Sequence, residues 1–167
     1  MIRRFTPSLI ALCLLSIVPA TAWEIPESDT LEPWHLSVIR QVAEARISPD
    51  GETVAYTLAV PRRPMDEETG PAWRELHLLR DGESVPFITG EVSVSQLDWT
   101  PDGEVSFLAK RGDDENTALW AIRTDGGEAR KVLEHDASIG AYSWSPDGTR
   151  IAFLATEEKS EEREERE

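Results

Sequence analysis

Short apolar segments whose side chains alternate in direction recur along the chain and predict β-strands. In one of them, Val54, Tyr56 and Leu58 fall on one face of an extended strand, while Ala55 and Ala59 fall on the other. A strand with apolar residues on both faces belongs to a sheet that is covered on both sides. The pattern therefore predicts sheets that pack face to face.

The predicted strands belong to a unit that occurs three times. Its marker is Ser/Thr-Pro-Asp-Gly between two apolar segments, and the prolines of the three markers are 52 and then 45 residues apart. A longer loop at residues 61–71 accounts for the wider first spacing. Such spacing is typical of one four-stranded unit per repeat. The repeated turn residues are Pro49, Asp50, Gly51, Pro101, Asp102, Gly103, Pro146, Asp147 and Gly148.

The marker has the composition of a tight turn. Its Ser or Thr can form a local side-chain hydrogen bond, Pro fixes φ at the next position, Asp suits the position after it, and Gly takes the left-handed conformation. The first two repeats continue with a second hairpin, whose turns are Asp81-Gly82 and Asp125-Gly126-Gly127. Each repeat is thus predicted as strand, Pro-Asp-Gly turn, strand, loop, strand, Asp-Gly turn and strand.

Such units predict an all-β fold, a partial β-propeller of four-stranded antiparallel blades. Blade 1 is assigned to residues 45–90, blade 2 to residues 91–135, and the first half of blade 3 to residues 136–156. Trp99 and Trp144 occupy the same position of their repeats, two residues before the proline. We expect both to pack between blades rather than to form a ligand platform.

A lead-in at residues 23–44 precedes the first blade and is predicted to contain a short helix over residues 30–43. Asp29 or Thr30 can cap this helix, and Pro33 suits its first turn. The apolar face of the helix would consist of Trp34, Val38 and Val42.

Residues 1–22 have the composition of a secretory signal peptide. A basic start precedes a nearly continuous apolar run over residues 9–18, which is followed by Ala20-Thr21-Ala22. The run is shorter than the roughly 20 apolar residues that a membrane-spanning helix needs. We expect cleavage after Ala22, with Ala20 as the alternative. The mature chain would be periplasmic or secreted, with no stable membrane anchor after cleavage.

The charge balance excludes further classes of function. The 167 residues include 32 acids and 17 bases, for a net charge of -15, and such a chain would repel the phosphates of a nucleic acid. The single cysteine, Cys13, rules out a disulfide framework and a multi-cysteine zinc site. The acidic runs 66–68 and 113–115 lack the alternating ligand spacing of a calcium loop. No metal and no cofactor is expected.

The end of the sequence is a charged segment without apolar residues. Residues 157–167 contain seven acids and three bases and are predicted to form a solvated tail or insertion. Closing a ring of blades takes about 4–8 of them, and the repeats predict only two complete blades and part of a third. We therefore expect the chain to be part of a longer protein. A small protein that closes by oligomerising is the alternative.

The first and third repeats carry a family resemblance. Residues 31–40 followed by 45–56, ARISPDGETVAY, resemble the start of a prolyl oligopeptidase family serine peptidase, closest to its acylaminoacyl-peptidase and dipeptidyl-peptidase-like bacterial members. Residues 144–153, WSPDGTRIAF, are similar to the propeller blades of that family, in which a charged insertion like residues 157–167 is also found. The Pro-Asp-Gly strand unit is shared with TolB-like periplasmic propellers.

This resemblance implies a propeller that covers an active site and filters substrates by size, and a C-terminal α/β-hydrolase domain that carries Ser, Asp and His. The nucleophile elbow of such a domain, Gly-x-Ser-x-Gly, does not occur in this sequence. Gly82-Glu83-Ser84 matches only the first half of it and falls in a predicted hairpin turn. No catalytic residue is assigned, and the histidines are expected to be surface or packing residues: His35, His77 and His135.

The sequence thus predicts the substrate-gating propeller of an exported serine peptidase that acts on short peptides. In the complete protein its partners would be the peptide substrate and the protein's own hydrolase domain. This chain alone is expected to be inactive. The alternative is a non-catalytic, TolB-like periplasmic propeller that binds protein partners.

We predict that export of the chain produces a mature protein that begins at Trp23, because small residues precede that bond at both specificity positions. Amino-terminal sequencing of the exported product tests this. A product that begins at Thr21 would show that Ala20 is the cleavage position, and a product that begins at Met1 would contradict the signal peptide.

Overall fold

The computed structural model describes residues 30, 32–36 and 38–156, except the side chains of Pro33 and Trp34. The chain divides into two compact units, Met1–Leu31 and Glu32–Glu167, and the fold described below is that of the second. The predicted signal peptide with its cleavage position Ala22, and the charged segment 157–167, lie outside the described residues.

The described residues form one short helix and ten strands in three antiparallel sheets. Sheet 1 has the strand order β1-β2-β3-β4, sheet 2 the order β5-β6-β7-β8, and sheet 3 pairs β9 with β10. The helix α1 is Pro33–Leu36, and the strands are β1 Gln41–Ile47, β2 Thr53–Val60, β3 Trp73–Arg80, β4 Glu83–Ile88, β5 Ser95–Trp99, β6 Val105–Ala109, β7 Ala118–Ile122, β8 Arg130–Leu133, β9 Ile139–Trp144 and β10 Ile151–Ala155. The predicted all-β partial propeller is confirmed.

The predicted bounds of the helix were wrong. The helix ends at Leu36, and residues from Gln41 onward belong to β1, in which Val42 pairs with Leu58 of β2. Pairing with β2 gives the backbone of this segment stable hydrogen-bond partners. An isolated helix of this length is only marginally stable in water and cannot compete with that pairing. The apolar spacing that indicated a helix is therefore overridden by the sheet.

Sheet 2 packs against sheet 1 through one of its faces. Val105 and Phe107 of β6 are fully buried there, in one cluster with Leu76 and Leu78 of β3. Trp99 of β5 lies in the same cluster. The first strands of the two sheets also approach each other, with Cα atoms of β1 and β5 within 8 Å.

The opposite face of sheet 2 packs against sheet 3. Leu108 of β6 and Leu119 of β7 are buried together with Ile139 of β9. Adjacent residues of β6 thus enter different cores, and all five residues of this strand are buried.

The prediction of a sheet that is covered on both sides is confirmed for sheet 2. The strand on which it was based, β2, belongs to sheet 1, where Ala55 and Ala59 are buried and the face with Tyr56 and Leu58 is partly exposed.

The two repeat tryptophans each reach the preceding sheet. Trp99 Nε1 donates a hydrogen bond to the backbone oxygen of Arg46 in β1 at 3.2 Å, and Trp144 Nε1 donates one to Ser106 Oγ in β6 at 2.9 Å. Both indoles therefore connect one blade to the next through the apolar ring, buried at Trp99 and partly buried at Trp144, and through a single polar atom. Their predicted packing role is confirmed.

A buried serine forms hydrogen bonds with several polar groups between sheets 2 and 3. Ser106 is fully buried, and its Oγ donates to the backbone oxygen of Asp98 at 3.2 Å. Besides the Trp144 indole, the Tyr142 hydroxyl lies 2.9 Å from this Oγ and 2.9 Å from the Gln96 oxygen. Burial raises the pKa of Tyr142, so its hydroxyl stays neutral as this network requires.

The outer faces of sheets 1 and 3 carry exposed apolar side chains. Val42, Ile47 and Leu79 are exposed on sheet 1, where Ile47 keeps 68% of its accessible surface. On sheet 3 the outer face carries Leu154, at 71%, whereas Phe153, which pairs with Tyr142, lies on the face toward sheet 2. Within the described part of the chain, only sheet 2 is therefore covered on both faces.

We predict that Ser106→Ala destabilises the fold by about 1–3 kcal/mol, because it leaves the partly buried Trp144 N–H without its acceptor at a fully buried position. Urea unfolding at neutral pH measures this change. Ser143→Ala is the matched control: Ser143 is an exposed serine on β9, and its replacement is expected to stay within about 0.5 kcal/mol. Equal effects of the two substitutions would contradict the role of the buried serine.

Candidate functional site: turns and loops at the two ends of the sheets

The strand order divides the connections into two groups. Because successive strands run antiparallel, the Pro-Asp-Gly and Asp-Gly turns lie at one end of the sheets, here called the turn end. The other connections lie at the opposite end, here called the loop end: residues 61–72, 89–94, 110–117 and 134–138. Loops that a rigid scaffold positions are the usual location of binding residues.

The first and third marker turns are closed by the same side-chain hydrogen bonds. Ser48 Oγ lies 2.5 Å from Asp50 Oδ1 and accepts the Thr53 N–H at 2.9 Å. In the third turn, Ser145 Oγ lies 2.6 Å from Asp147 Oδ1. These hydrogen bonds hold the pKa of both aspartates below the usual 3.8. Hydrogen bonds from the side chains of the turn residues therefore stabilise the conformation of both turns.

The second marker turn is one residue shorter. Thr100 N bonds to the Glu104 oxygen, four residues on, whereas Ser48 N bonds to the Thr53 oxygen, five residues on. Thr100 Oγ1 accepts the Glu104 N–H at 3.0 Å, and the Asp102 carboxylate forms no hydrogen bond within the described residues. The second marker differs from the other two only in having Thr in place of Ser, and its shorter turn was not predicted.

Glycine closes each marker turn in the left-handed region. The φ angles are 79° at Gly51, 81° at Gly103 and 68° at Gly148. A side chain at such a φ is strained, and at Gly148 an added Cβ would also lie 3.3 Å from the Pro101 ring of the neighbouring turn. The nine repeat turn residues thus lie in three neighbouring turns. Five of them line a cavity of about 210 Å³ between the first two turns: Pro49, Asp50, Pro101, Asp102 and Gly103.

A polar cavity of about 520 Å³ lies at the loop end of sheet 2. Lys131 Nζ bonds to Asp114 Oδ1 at 2.6 Å and to Glu134 Oε2 at 2.9 Å. The lysine lowers the pKa of Asp114, and the carboxylates raise the pKa of Lys131. An ammonium group thus occupies the position that a cation would take among these acids.

The loop at residues 61–72 is held in place by two arginines. Arg62 stacks over the Trp73 ring at 3.8 Å and donates to the Pro71 oxygen at 2.9 Å. The Arg63 N–H donates to Glu67 Oε2 at 2.9 Å, which lowers the pKa of that glutamate. Met65 at the tip is fully exposed and has a φ of 70°.

The histidines are not arranged for nucleophilic catalysis. His77 Nε2 lies 3.2 Å from Glu75 Oε2, and His135 Nδ1 accepts the Ala137 N–H at 3.1 Å. His35 Nδ1 accepts the Glu32 N–H at 2.8 Å. A triad needs a serine hydroxyl bonded to the imidazole, and no such pair occurs in residues 30, 32–36 and 38–156.

The serine of the partial elbow motif is engaged elsewhere. Ser84 lies in β4, and its Oγ is 2.5 Å from the Tyr56 hydroxyl. The Asp81-Gly82 turn before it has φ angles of 54° and 79°, as in a two-residue hairpin turn with both central residues left-handed. Ser84 is therefore part of a hairpin and not of a strand-to-helix elbow.

The described ranges contain neither a cluster of metal-binding side chains nor a membrane-spanning helix. No group of three or more His, Cys, Asp or Glu side chains there is arranged to hold a metal ion. In the same residues no helix is long and apolar enough to cross a membrane.

We predict that Asp50→Asn and Asp147→Asn each reduce the dependence of stability on acidic pH. The lowered folded-state pKa means that each carboxylate stabilises the fold above pH 3.8, and that this contribution is lost as pH falls through the lowered value. Urea unfolding between about pH 2 and pH 5 tests this. Asp102→Asn is the control, since its carboxylate has no hydrogen bond in the described residues, and at neutral pH it is expected to change the free energy of unfolding less than either of the other substitutions.

Comparison with known proteins gives similarities to a peptidase and to TolB proteins. The chain is 30% identical over 133 residues to the uncharacterized peptidase YuxL of Bacillus subtilis, a match that covers 79% of this chain and 20% of that protein. It is 38% identical over 55 residues to the Tol-Pal system protein TolB of Nitrosomonas europaea, covering 33% of this chain and 12% of that protein. No family model matches the chain.

A third similarity extends over more of the repeats. The chain is 31% identical over 110 residues to a TolB homolog of Chlorobium luteolum, covering 65% of this chain and 22% of that protein. The chain thus spans between 12% and 22% of the length of these curated relatives. Taken with the three stacked sheets, the similarities support a propeller segment that is related to that peptidase or to the TolB proteins.

Proposed function

We propose that this chain is the substrate-gating propeller segment of an exported serine peptidase that acts on short peptides. The observation that carries the proposal is the match to a peptidase over 79% of the chain, which extends beyond the repeated turns into the intervening loops. The prolyl oligopeptidase family resemblance of residues 45–56 and 144–153 agrees with it. The catalytic α/β-hydrolase domain would lie outside this sequence.

The exposed apolar faces of sheets 1 and 3 support a place in a larger ring. Ile47 and Leu79 on sheet 1, and Leu154 on sheet 3, are exposed to water where both faces of sheet 2 are covered. Covering each face with a further blade would bury this surface, as it is buried between the sheets described here. The truncated character of the propeller is part of this proposal.

The role of the segment would be selection and not chemistry. The stacked blades form a rigid scaffold, because consecutive sheets are joined by buried indoles and by the Ser106 network. Such a scaffold can restrict access to an active site by size while its loops contact the peptide. The acyl-enzyme chemistry would belong to the serine, histidine and aspartate of the hydrolase domain.

Export is the remaining part of the proposal. It is supported by the signal-peptide composition of residues 1–22 and by the absence of cysteine from residues 23–167. A peptidase in the periplasm or outside the cell would meet short peptides from the breakdown of other proteins.

A second candidate function is a non-catalytic binding propeller. The observation that favours it is the 38% identity to a Tol-Pal system TolB protein over 55 residues, which is higher locally than the identity to the peptidase. In this case loops at one end of the sheets would bind a protein partner directly.

The sequence of the source DNA beyond the codon for Glu167 separates the two candidates. We expect the reading frame to continue through further blades to Gly-x-Ser-x-Gly, then Asp, then His. Further blades followed by a stop codon would favour the binding propeller. A stop codon directly after Glu167 would contradict both and leave an assembly of several chains as the way to cover the exposed faces.

We predict that a fluorophosphonate probe labels no serine of this chain, since Ser84 is hydrogen bonded to Tyr56 and has no histidine partner in the described residues. Mass spectrometry of the probe-treated chain measures this, with a serine hydrolase as the positive control. Labelling that disappears in Ser84→Ala would refute the assignment of catalysis to another domain.

A further inference from the structure

A groove opens between sheets 1 and 2 at the turn end, on the side of the outer strands. Its floor is apolar and consists of Leu78 from β3 together with Val85 and Phe87 from β4, while Thr124 and Asp125 of the β7–β8 turn form the opposite wall. Val85 remains 45% exposed although it faces the neighbouring blade. We name this feature the interblade groove; its volume is about 400 Å³, within the range of ligand pockets.

The rim of the groove carries unpaired negative charge. Asp81 and Glu83 flank the hairpin turn of sheet 1, and neither has a cationic partner within 4.0 Å in the described residues. Asp125 on the opposite wall is paired with Arg123, at 2.9 Å between Oδ1 and Nε. The two sheet 1 carboxylates are therefore the groups that remain available to a ligand.

The arginine of the rim is held toward the neighbouring turn. Arg80 Nε donates to Thr53 Oγ1 at 3.1 Å, and the guanidinium contributes to the lowered pKa of Asp50. Arg80 also lines a second cavity of about 210 Å³ between the first two marker turns. Arg80 also lines the interblade groove and lies directly opposite Glu83 in the β3–β4 pairing, but its guanidinium forms no ion pair within 4.0 Å with Asp81 or Glu83.

An apolar floor beside free carboxylates matches one kind of side chain. Lys and Arg bury their aliphatic stems along apolar surface and keep the charged head in water or against an acid. The Phe87 ring in the floor adds an aromatic surface that attracts cations. The net charge of the chain, -15, also favours the approach of a basic partner.

We propose that the interblade groove binds a lysine or arginine side chain of an extended peptide segment, with the stem on Val85 and Phe87 and the head at Asp81 and Glu83. The occupant is thus a basic peptide and not a further blade, because the groove lies between two sheets that are already packed. The proposal does not depend on whether the complete protein is a peptidase or a binding propeller.

The test is an NMR titration of the full chain with three blocked amino acids: acetyl-lysine amide, acetyl-norleucine amide and acetyl-glutamate amide. We expect the lysine derivative to shift the amide signals of Val85, Phe87 and Thr124 in a saturable way, with a dissociation constant on the order of 1 mM. The norleucine derivative has the same stem without the charge, and we expect it to bind at least about tenfold more weakly, as for the glutamate derivative.

The carboxylates are tested with a charge-matched pair of variants. Asp81→Asn combined with Glu83→Gln is expected to weaken lysine binding at least about fivefold, and Asn is suited to the left-handed φ of 54° at position 81. The control combines Glu91→Gln with Asp113→Asn, which removes two exposed acids at the loop end and is expected to leave binding unchanged.

Three outcomes would overturn the proposal. Equal binding of lysine and norleucine derivatives would show a purely apolar groove. Preferential binding of the glutamate derivative would show that Arg80 is the anchor. Absence of any saturable shift in the unsubstituted chain would show that the groove binds no such side chain, and this result does not require the variants to fold. None of these outcomes bears on the presence of a hydrolase domain.

Discussion

Alternate side chains of β6 enter two different hydrophobic cores, and the positions of the other sheets follow from this arrangement. Phe107 is buried against sheet 1, and the next residue, Leu108, is buried against sheet 3. A strand with this property cannot tolerate a shift of one residue, because every side chain would then change core. The register of sheet 2 thus sets the distance and the orientation of both neighbouring blades.

Hydrogen bonds between the sheets add a directional constraint to this apolar packing. The Trp99 indole reaches a backbone oxygen of β1, whereas the Trp144 indole reaches the hydroxyl of Ser106. One repeat position therefore uses a main-chain acceptor at the first interface and a side-chain acceptor at the second. The two interfaces share the position of the indole ring but differ in the group that accepts its hydrogen bond.

The features that repeat were predictable from the sequence, and those that differ between repeats were not. The marker turns, the alternation of apolar residues and the two tryptophans recur at equivalent positions of the repeats, so each copy supports the interpretation of the others. The shorter second turn escaped prediction because Thr100-Pro101-Asp102-Gly103 has the same form as its counterparts. The interblade groove is formed by residues of two different sheets, and a local sequence pattern does not predict how two sheets pack against each other. For the same reason the repeats support a peptidase segment and a TolB-like segment equally, since a fold does not fix a function.

The position of Met65 at the tip of the loop 61–72 determines where this chain can be oxidised. Met65 is the only sulfur-containing residue after Cys13, and it lies fully exposed at a loop tip and away from both cores. Peroxides and hypochlorous acid, which attack sulfur first, would therefore modify the surface at a single point and leave the packing between the sheets intact. A protein built in this way can keep its shape in an oxidising environment without relying on repair.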